Sequence, residues 1–439
     1  MKKTLQILSL FILTTFLNAQ ELKSVYVLSE GGFSAGTSKL SKLVYENSDF
    51  RQSIFNPDNI GLYPDGLMLY GENLYLTEQG SWGGSGKIYK LDTAGTVLES
   101  EEVANNPYSF AISNEKIYLT NGPISNVTVL NLNDFSKVKD IKVGAFPQNI
   151  VSKDSLVFVA NKSVWGGASD STVSVINTNL DSVVATIIVR KNPTSVVIKD
   201  GFLLVGCPGD SAIGMIYKVD LSTLTKVDSF DVPSNDGYSK DIVVEKNTDN
   251  IFFASQSGKI IKLDMATRKT EVVVEDTSLV MLYGYNYDSV NKEHYLLDAK
   301  DFKIEGQLTV YDSTGKKLNN YTTGIAPRRI VFEYKLEVSV KESQVIAADF
   351  KLEQNYPNPF NPTTVIEYTI PSNMKREMSN VKLIVYDILG NKVATLVDKQ
   401  QSSGSYQVKF DGSNLASGIY FYKLQTGNFN QIRKMMLLK

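Results

Sequence analysis

The chain has 439 residues, of which 42% are hydrophobic, and its formal net charge is −2. This composition is typical of globular proteins of about two to four domains, and the near-neutral charge gives no electrostatic reason to expect nucleic acid or an anionic membrane as a partner. One His and one Cys exclude an intrachain disulfide and a zinc site built from the usual His and Cys ligands.

The amino terminus is typical of a secretory signal peptide. Lys2 and Lys3 precede the apolar run Leu5–Leu17, and Ala19 is a small residue where a signal peptidase would cut. The run is shorter than the roughly 18 apolar residues that a spanning helix needs, so a retained membrane anchor is the weaker interpretation. We predict that residues 1–19 are a signal peptide and that no transmembrane segment remains after its removal.

Residues from about 22 to 335 repeat one pattern of strands and turns. Each copy has a turn, an apolar strand, a short polar turn and a second strand, as in NPYSFAISNEKIYLTN and FPQNIVSKDSLVFVAN. The equivalent positions, which are 43, 40, 46, 45, 44 and 45 residues apart, are Pro64, Pro107, Pro147, Pro193, Tyr238, Leu282 and Pro327. Two further strands follow each pair, so the spacing predicts one four-stranded β-propeller blade per repeat.

The two ends of the repeat region complement each other. The first copy begins at SVYVLSE, which corresponds to a second strand, and therefore lacks its inner strand. The last copy, APRRIVFEY at residues 326–334, corresponds to an inner strand with nothing after it. We therefore predict an all-β fold in which residues 20–335 form a seven-bladed propeller whose first blade is closed by residues 326–334.

Two segments of this region, TVSVINTNLDSVVATIIVRKNPTSVVI and SVYVLSEGGFSAGTSKLS, resemble the YVTN-type, YncE-like seven-bladed propellers of the DUF5074 type. The resemblance covers the whole repeat region and is to the secreted or surface members common in Bacteroidetes. Some surface propellers of this kind capture cobalamin for an outer-membrane transporter. The residues of these motifs serve the packing of the blades. The resemblance therefore identifies the fold but does not identify the ligand.

Composition changes after residue 335. We expect a polar linker at residues 336–349 and a second all-β module at residues 350–439, where short strands alternate with turn residues. Pro357, Pro359 and Pro362 cannot lie in a central strand, so their segment is an edge or a rigid turn. The pattern predicts a small immunoglobulin-like β-sandwich.

This second module is similar to the type A sorting domain of the type IX secretion system. The matching positions are Asn355, Tyr356, Pro357, Asn358, Pro359, Phe360, Asn361, Pro362, Gly390, Gly418, Tyr420, Arg433 and Lys434. The resemblance implies recognition by the outer-membrane translocon and removal by a surface transpeptidase before Phe350, which leaves the protein secreted or on the outer-membrane surface. The alternative is a domain kept for stability or for carbohydrate contact.

Aromatic residues in Gly-containing loops suggest a ligand site at the mouth of the propeller. Phe33, Trp82 and Trp165 hold comparable loop positions in the first, second and fourth blades. Polar residues after the repeat positions are expected to face the same mouth; they are Asp65, Tyr108, Gln148, Thr194, Lys240, Tyr283, Arg328 and Arg329. The alternative is that the rings cap the blades and the polar residues are solvated.

Three classes of function remain open from the sequence. The first is a secreted or surface binding protein that holds a small molecule, a glycan or a surface protein. The second is a structural or adhesive envelope protein, and the third, less favoured, is a propeller lyase or hydrolase. We expect no catalytic residue, metal or cofactor, with His294 at a surface or blade edge and Cys207 as a small buried thiol.

Overall fold

A computed structural model gives the fold of two compact units, Met1–Lys335 and Leu336–Lys439. The predicted signal peptide and linker lie outside the described residues, as does Phe350. The structure describes residues 20–32, 34, 36–57, 64–103, 105–162, 167, 170–208, 214–232, 238–255, 257–335, 351–370, 379–401, 404–426 and 429–438.

The first unit consists of short antiparallel strands. The first eleven in chain order are β1 (Leu22–Ser29), β2 (Lys39–Val44), β3 (Asp49–Phe55), β4 (Pro64–Tyr70), β5 (Asn73–Glu78), β6 (Gly86–Asp92), β7 (Val97–Val103), β8 (Pro107–Ser113), β9 (Lys116–Asn121), β10 (Asn126–Asn131) and β11 (Lys137–Lys142). The next eight are β12 (Pro147–Lys153), β13 (Leu156–Asn161), β14 (Thr172–Asn177), β15 (Ser182–Ile188), β16 (Ser195–Lys199), β17 (Phe202–Cys207), β18 (Gly214–Asp220) and β19 (Thr225–Val232). The last nine are β20 (Tyr238–Val244), β21 (Asn250–Ser255), β22 (Ile260–Asp264), β23 (Lys269–Val274), β24 (Leu282–Asp288), β25 (Glu293–Asp298), β26 (Glu305–Tyr311), β27 (Lys317–Ile325) and β28 (Pro327–Tyr334).

These strands form seven four-stranded sheets, as the repeat predicts. Blade 1 has the order β28-β1-β2-β3, and blades 2 to 7 each use four consecutive strands, from β4–β7 to β24–β27. Each innermost strand contacts the innermost strand of the next blade, and β28 contacts both β24 and β4. The ring is therefore closed, and the predicted seven-bladed propeller is confirmed.

The closing strand β28 pairs antiparallel with β1. Opposite Tyr26 and Val27 of β1 lie Val331 and Ile330 of β28. Ile330 is buried in a cluster that also contains apolar residues of blade 7. The last strand of the unit thus completes the first blade, and backbone pairing and burial both hold it there.

The core lies between neighbouring blades. Leu204 in the second strand of blade 5 packs in one cluster with Ile251 and Phe253 in the second strand of blade 6. Such a strand is covered on both faces, and for this reason it is a continuous apolar run instead of an alternating one. A lone blade would leave one face of each sheet in water, so the blades stabilise each other.

The histidine and the cysteine both belong to this core. Cys207 is buried, as predicted, and burial raises the pKa of its thiol to about 12. The interpretation of His294 as a surface or blade-edge residue is wrong, because it lies within β25 and is 1% exposed. Its Nδ1 is 2.9 Å from the hydroxyl of Tyr285, and its ring packs edge-on against Phe252 of blade 6. Burial lowers the pKa of His294 to about 4.

This histidine makes stability depend on pH. Its folded pKa lies below the ordinary value of about 6.5, so protonation favours the unfolded chain, and stability is lost as the pH falls from about 6.5 towards 4. The loss attributable to His294 approaches about 3 kcal/mol at the acid end. Urea unfolding at pH 7.5 and 4.5 measures it: His294→Gln, which cannot gain a proton, is expected to lose less stability between the two pH values than the unchanged chain. Equal losses in the two proteins would contradict the assignment.

The second unit is the predicted β-sandwich. Its strands are β29 (Lys351–Leu352), β30 (Thr363–Ile370), β31 (Ser379–Tyr386), β32 (Lys392–Gln401), β33 (Gly404–Asp411), β34 (Gly418–Thr426) and β35 (Phe429–Leu437). They form two sheets, with the orders β29-β30-β33 and β32-β31-β34-β35, around one apolar core. In the described parts of both units, no helix is long and apolar enough to cross a membrane.

The proline-rich segment of the second unit packs against its last strand. Phe360 is buried, and its N–H donates to Met436 O at 2.9 Å. Asn358 Oδ1 accepts the N–H of Met436 at 2.9 Å. Asn355 is buried and donates through its amide to Pro357 O and Thr364 Oγ1. The two ends of the sorting motif therefore form one structural element.

Candidate ligand-binding site

Trp82 stands on a fixed loop between β5 and β6. Its side chain is largely in solvent, since the residue is 73% exposed. The buried Asn106 donates through its amide to Gln79 O at 2.9 Å and to Ser81 O at 2.7 Å. The amide oxygen of Asn106 accepts the N–H of Gly83. The loop is therefore held in place without a ligand, which reduces the entropy that binding would cost.

A second ring lies against Trp82. Phe146, in the loop that leads into β12, stacks on it with ring centroids 5.9 Å apart and planes 25° apart. The Phe146 ring also covers Gly122, where a Cβ would come within 2.8 Å of the ring, so a larger residue there would displace the ring. We call Trp82 and Phe146 the aromatic shelf. Trp82 belongs to a loop between the second and third strands of a blade, and Phe146 belongs to a loop between two blades. Since the two rings stack on each other, both kinds of loop lie on the same face of the propeller, which we call the upper face.

A cavity of about 300 Å³ opens next to this shelf, where the inner strands surround the channel. Phe146 is two residues from Gln148 in the cavity wall, and its carbonyl oxygen accepts the N–H of Lys162 at 3.2 Å. We call it the mouth cavity. Of the described residues that line it, five were expected there from the sequence, namely Tyr108, Gln148, Thr194, Arg328 and Arg329. The other four, Asn149, Lys162, Asn192 and Pro208, were not.

Two arginines and two aspartates form a buried cluster at the base of this cavity. Arg328 Nη1 is 2.6 Å from Asp241 Oδ2 and also donates to Tyr283 O at 3.1 Å. Arg329 Nη1 is 3.1 Å from Asp241 Oδ1, and its Nε is 2.8 Å from Asp65 Oδ1. We call these four charged residues the arginine–aspartate cluster. It joins β28 of blade 1 to β4 of blade 2 and β20 of blade 6.

The environment of the cluster fixes its charges. Burial alone would lower the pKa of Arg328, but the carboxylates of Asp241 and Asp65 raise it well above its usual value. Burial, together with the Asp65 carboxylate, also holds the pKa of the Tyr108 hydroxyl well above its usual range. The repeat pattern predicts that Asp65 faces the mouth. Its side chain is instead fully buried and paired with Arg329.

A larger cavity of about 670 Å³ lies on the same face, between blades 6 and 7. Tyr283, which the sequence placed at the mouth, lines this cavity, and its hydroxyl donates to Glu30 at 3.0 Å. Lys259 Nζ is 3.1 Å from Glu275 Oε1 in the cavity wall. Burial alone would raise the pKa of Asp276, but hydrogen bonds from Ser278 and Tyr311 lower it to about 2. The charged groups of this wall are thus largely paired within the protein.

Three proposed residues lie outside what the structure describes: Phe33, Trp165 and the side chain of Lys240. Ligand binding by the remaining residues stays a prediction. Over the described ranges, no group of three or more His, Cys, Asp or Glu side chains is placed to hold a metal ion.

A closed ring of seven blades with a polar cavity at one mouth, followed by a separate β-sandwich, defines a seven-bladed β-propeller protein with a carboxyl-terminal module. The chain belongs to the family described as domain of unknown function DUF5074, whose sequence profile matches residues 23–325. Residues 354–438 match the secretion system C-terminal sorting domain. The module therefore directs export by type IX secretion to the cell surface or beyond it.

Solved structures with this fold are distant in sequence. A quinonprotein alcohol dehydrogenase-like protein from Bacteroides thetaiotaomicron is 17% identical with a TM-score of 0.57, over 72% of this chain and 79% of that one. Hydrazine synthase from Kuenenia stuttgartiensis is 16% identical with a TM-score of 0.50, over 60% of this chain and 87% of that one. At these identities the likeness shows the fold alone. No curated protein sequence matches the chain.

Proposed function

We propose that this exported protein is a binding protein that holds a small polar ligand in the mouth cavity, with the aromatic shelf beside it. The observation that carries the proposal is the proximity of the aromatic shelf, in which Trp82 is exposed, to a cavity walled by polar side chains. Ligand sites are commonly concave, with a few placed polar groups and aromatic surface nearby.

The mouth cavity is favoured over the larger one by its unused hydrogen-bonding groups. The hydroxyl of Thr194 is buried and has no hydrogen-bond partner among the described residues. Asn149 Oδ1 accepts the N–H of Val196 at 2.7 Å, which leaves its amide NH2 for another acceptor. In the larger cavity the acidic groups already pair with Lys259 and Tyr311.

The arrangement suits binding better than acid–base catalysis. The carboxylates nearest the mouth, Asp65 and Asp241, are each paired with a guanidinium group. General acid–base chemistry needs a carboxyl or imidazole that can exchange a proton with a substrate. Because these carboxylates are already paired, we infer a non-enzymatic role. A purely adhesive or structural role would need no cavity, so we infer that this role is ligand binding.

We also propose that a surface transpeptidase removes the second unit before Phe350. The proposal rests on the similarity of the motif from Asn355 to Pro362 and of Arg433 and Lys434 to type A sorting domains. The propeller would then act alone, released or attached to the cell surface.

Retention of extracellular compounds tests the binding role. The chain is incubated with an extract of culture medium, washed, and its bound small molecules are identified by mass spectrometry. Trp82→Ala is expected to weaken binding about tenfold, because stacking and buried ring area are lost. Leu180→Ala removes another largely exposed apolar side chain, from the turn between β14 and β15 on the opposite face, and should change nothing. Equal retention of the compounds by both variants would show that the aromatic shelf is not part of the binding site.

A further inference from the structure

In the wall of the mouth cavity, Lys162 is a cation that has no anionic partner among the described residues. It follows β13, and its backbone N–H is held by Phe146 O. The ion pairs of the described residues include none to its ammonium group. Burial lowers the pKa of Lys162, and no carboxylate raises it. A partly buried ammonium group without a counterion is costly for the protein, which makes it a candidate for ligand recognition.

The charges around the cavity do not cancel. In the arginine–aspartate cluster two carboxylates balance two guanidinium groups. Lys162 remains unbalanced by any described carboxylate, and none of the described residues that line the cavity is an Asp or a Glu. Over the part of the chain that the structure describes, the mouth cavity therefore has an excess of about one positive charge, in a place where solvent screening is reduced.

The uncharged groups of the wall have the same preference. The amide NH2 of Asn149 and the hydroxyl of Thr194 are donors that no described acceptor uses. The Gln148 side chain also lines the cavity. Donors that line the same cavity as an ammonium group suit a ligand rich in acceptor oxygens, such as a carboxylate or a phosphate.

We propose that the ligand is a planar ring compound with an anionic group, in which the ring lies on the aromatic shelf and the carboxylate or phosphate is bound by Lys162. This inference rests on the proposed binding function and names its ligand class. The shelf and Lys162 are close because Phe146 joins them: its ring belongs to the shelf and its carbonyl oxygen binds the Lys162 backbone.

The test uses two matched pairs of probes with the full chain, measured by titration calorimetry at low ionic strength. Indole-3-acetate is compared with indole-3-acetamide for a carboxylate, and adenosine monophosphate with adenosine for a phosphate. At least one anionic probe is expected to bind about tenfold or more tightly than its neutral partner, and added salt should weaken it. The pair that shows the preference tells which anion the site takes.

Variants assign the preference to one side chain. Lys162→Met should abolish the difference between the anionic and neutral probes, and Lys162→Arg should retain it. Lys153→Met, which removes a half-exposed lysine from the end of β12 in the same blade, serves as the matched control and should behave like the unchanged chain.

Three results would overturn the inference: neutral probes that bind as tightly as the anionic ones, an unchanged preference in Lys162→Met, or no binding of either anion at 10 mM. The binding function is judged separately. If the compounds retained through Trp82 are neutral, the binding function is supported and the proposal of an anionic ligand is wrong. If nothing is retained through Trp82, both fall.

Discussion

Replacing Arg328 by Met in the full chain is expected to lower the free energy of unfolding of the propeller by about 3 to 5 kcal/mol. Arg328 is 4% exposed and pairs with Asp241 at 2.6 Å. The variant would leave Asp241 and the fully buried Asp65 to Arg329 alone. Removing one member of a buried charged group is costly because the opposite charges stay buried without it.

Urea unfolding followed by tryptophan fluorescence measures this loss, since both tryptophans of the chain fall within residues 20–335. Arg328→Lys keeps the charge but loses the forked geometry, so its free energy of unfolding should lie between those of the unchanged chain and of Arg328→Met. Arg51→Met removes an exposed arginine paired with Asp49 on β3 and should cost no more than about 1 kcal/mol. A loss in Arg328→Met as small as that in Arg51→Met would show that the cluster does not stabilise the ring.

Ile330→Ala is the second substitution with a large expected effect, a loss of about 2 to 5 kcal/mol. Ile330 lies on the closing strand β28 opposite Val27, and it is buried among Val25, Leu297 and other apolar side chains. Truncation leaves a cavity at the seam where the two ends of the propeller meet. The destabilisation should therefore open the first blade.

The matched control is Ile304→Ala, because Ile304 is 58% exposed in a loop of blade 7 and should change stability by less than about 0.5 kcal/mol. Limited proteolysis adds a local readout: cleavage near residues 326–335 should increase in Ile330→Ala and not in Ile304→Ala. If the two variants were equally stable and equally resistant, β28 would not be holding the ring closed.

The ring could be predicted from the sequence because its determinants are local and periodic. Each repeat carries its own strands and turns, and the missing inner strand before Ser24 matches the extra strand after Ala326. These features need no knowledge of which side chains meet in space. The pairing of Tyr26 with Val331 then follows from the blade pattern alone.

The interior contacts could not be predicted because they join residues far apart in the chain. Asp241 lies in a degenerate repeat and carries no motif, yet it pairs with Arg328 across 87 residues. His294 follows a charged turn, which suggested exposure, but the second strand of a blade is covered on both faces. In such a strand the alternation that distinguishes inside from outside is absent.

Some of the residues that line the mouth cavity could be predicted because the repeat places them at equivalent positions. Tyr108, Gln148 and Arg328 follow repeat positions, and the symmetry of the blades brings them to one mouth. Nothing in the sequence indicated that Phe146 and Lys162 belong to the site. Phe146 resembles the start of an inner strand, and Lys162 resembles an ordinary polar residue after a strand. Their contact with each other, and that of Phe146 with Trp82, depends on loops of different lengths.

Hydrogen–deuterium exchange of the mature chain, with and without a compound retained by it, tests the binding site most directly. We expect slower exchange on the upper face, at residues 144–149 and 160–162, and no change in the turn at residues 178–181 on the opposite face. Protection confined to the opposite face or to the outer strands would contradict it.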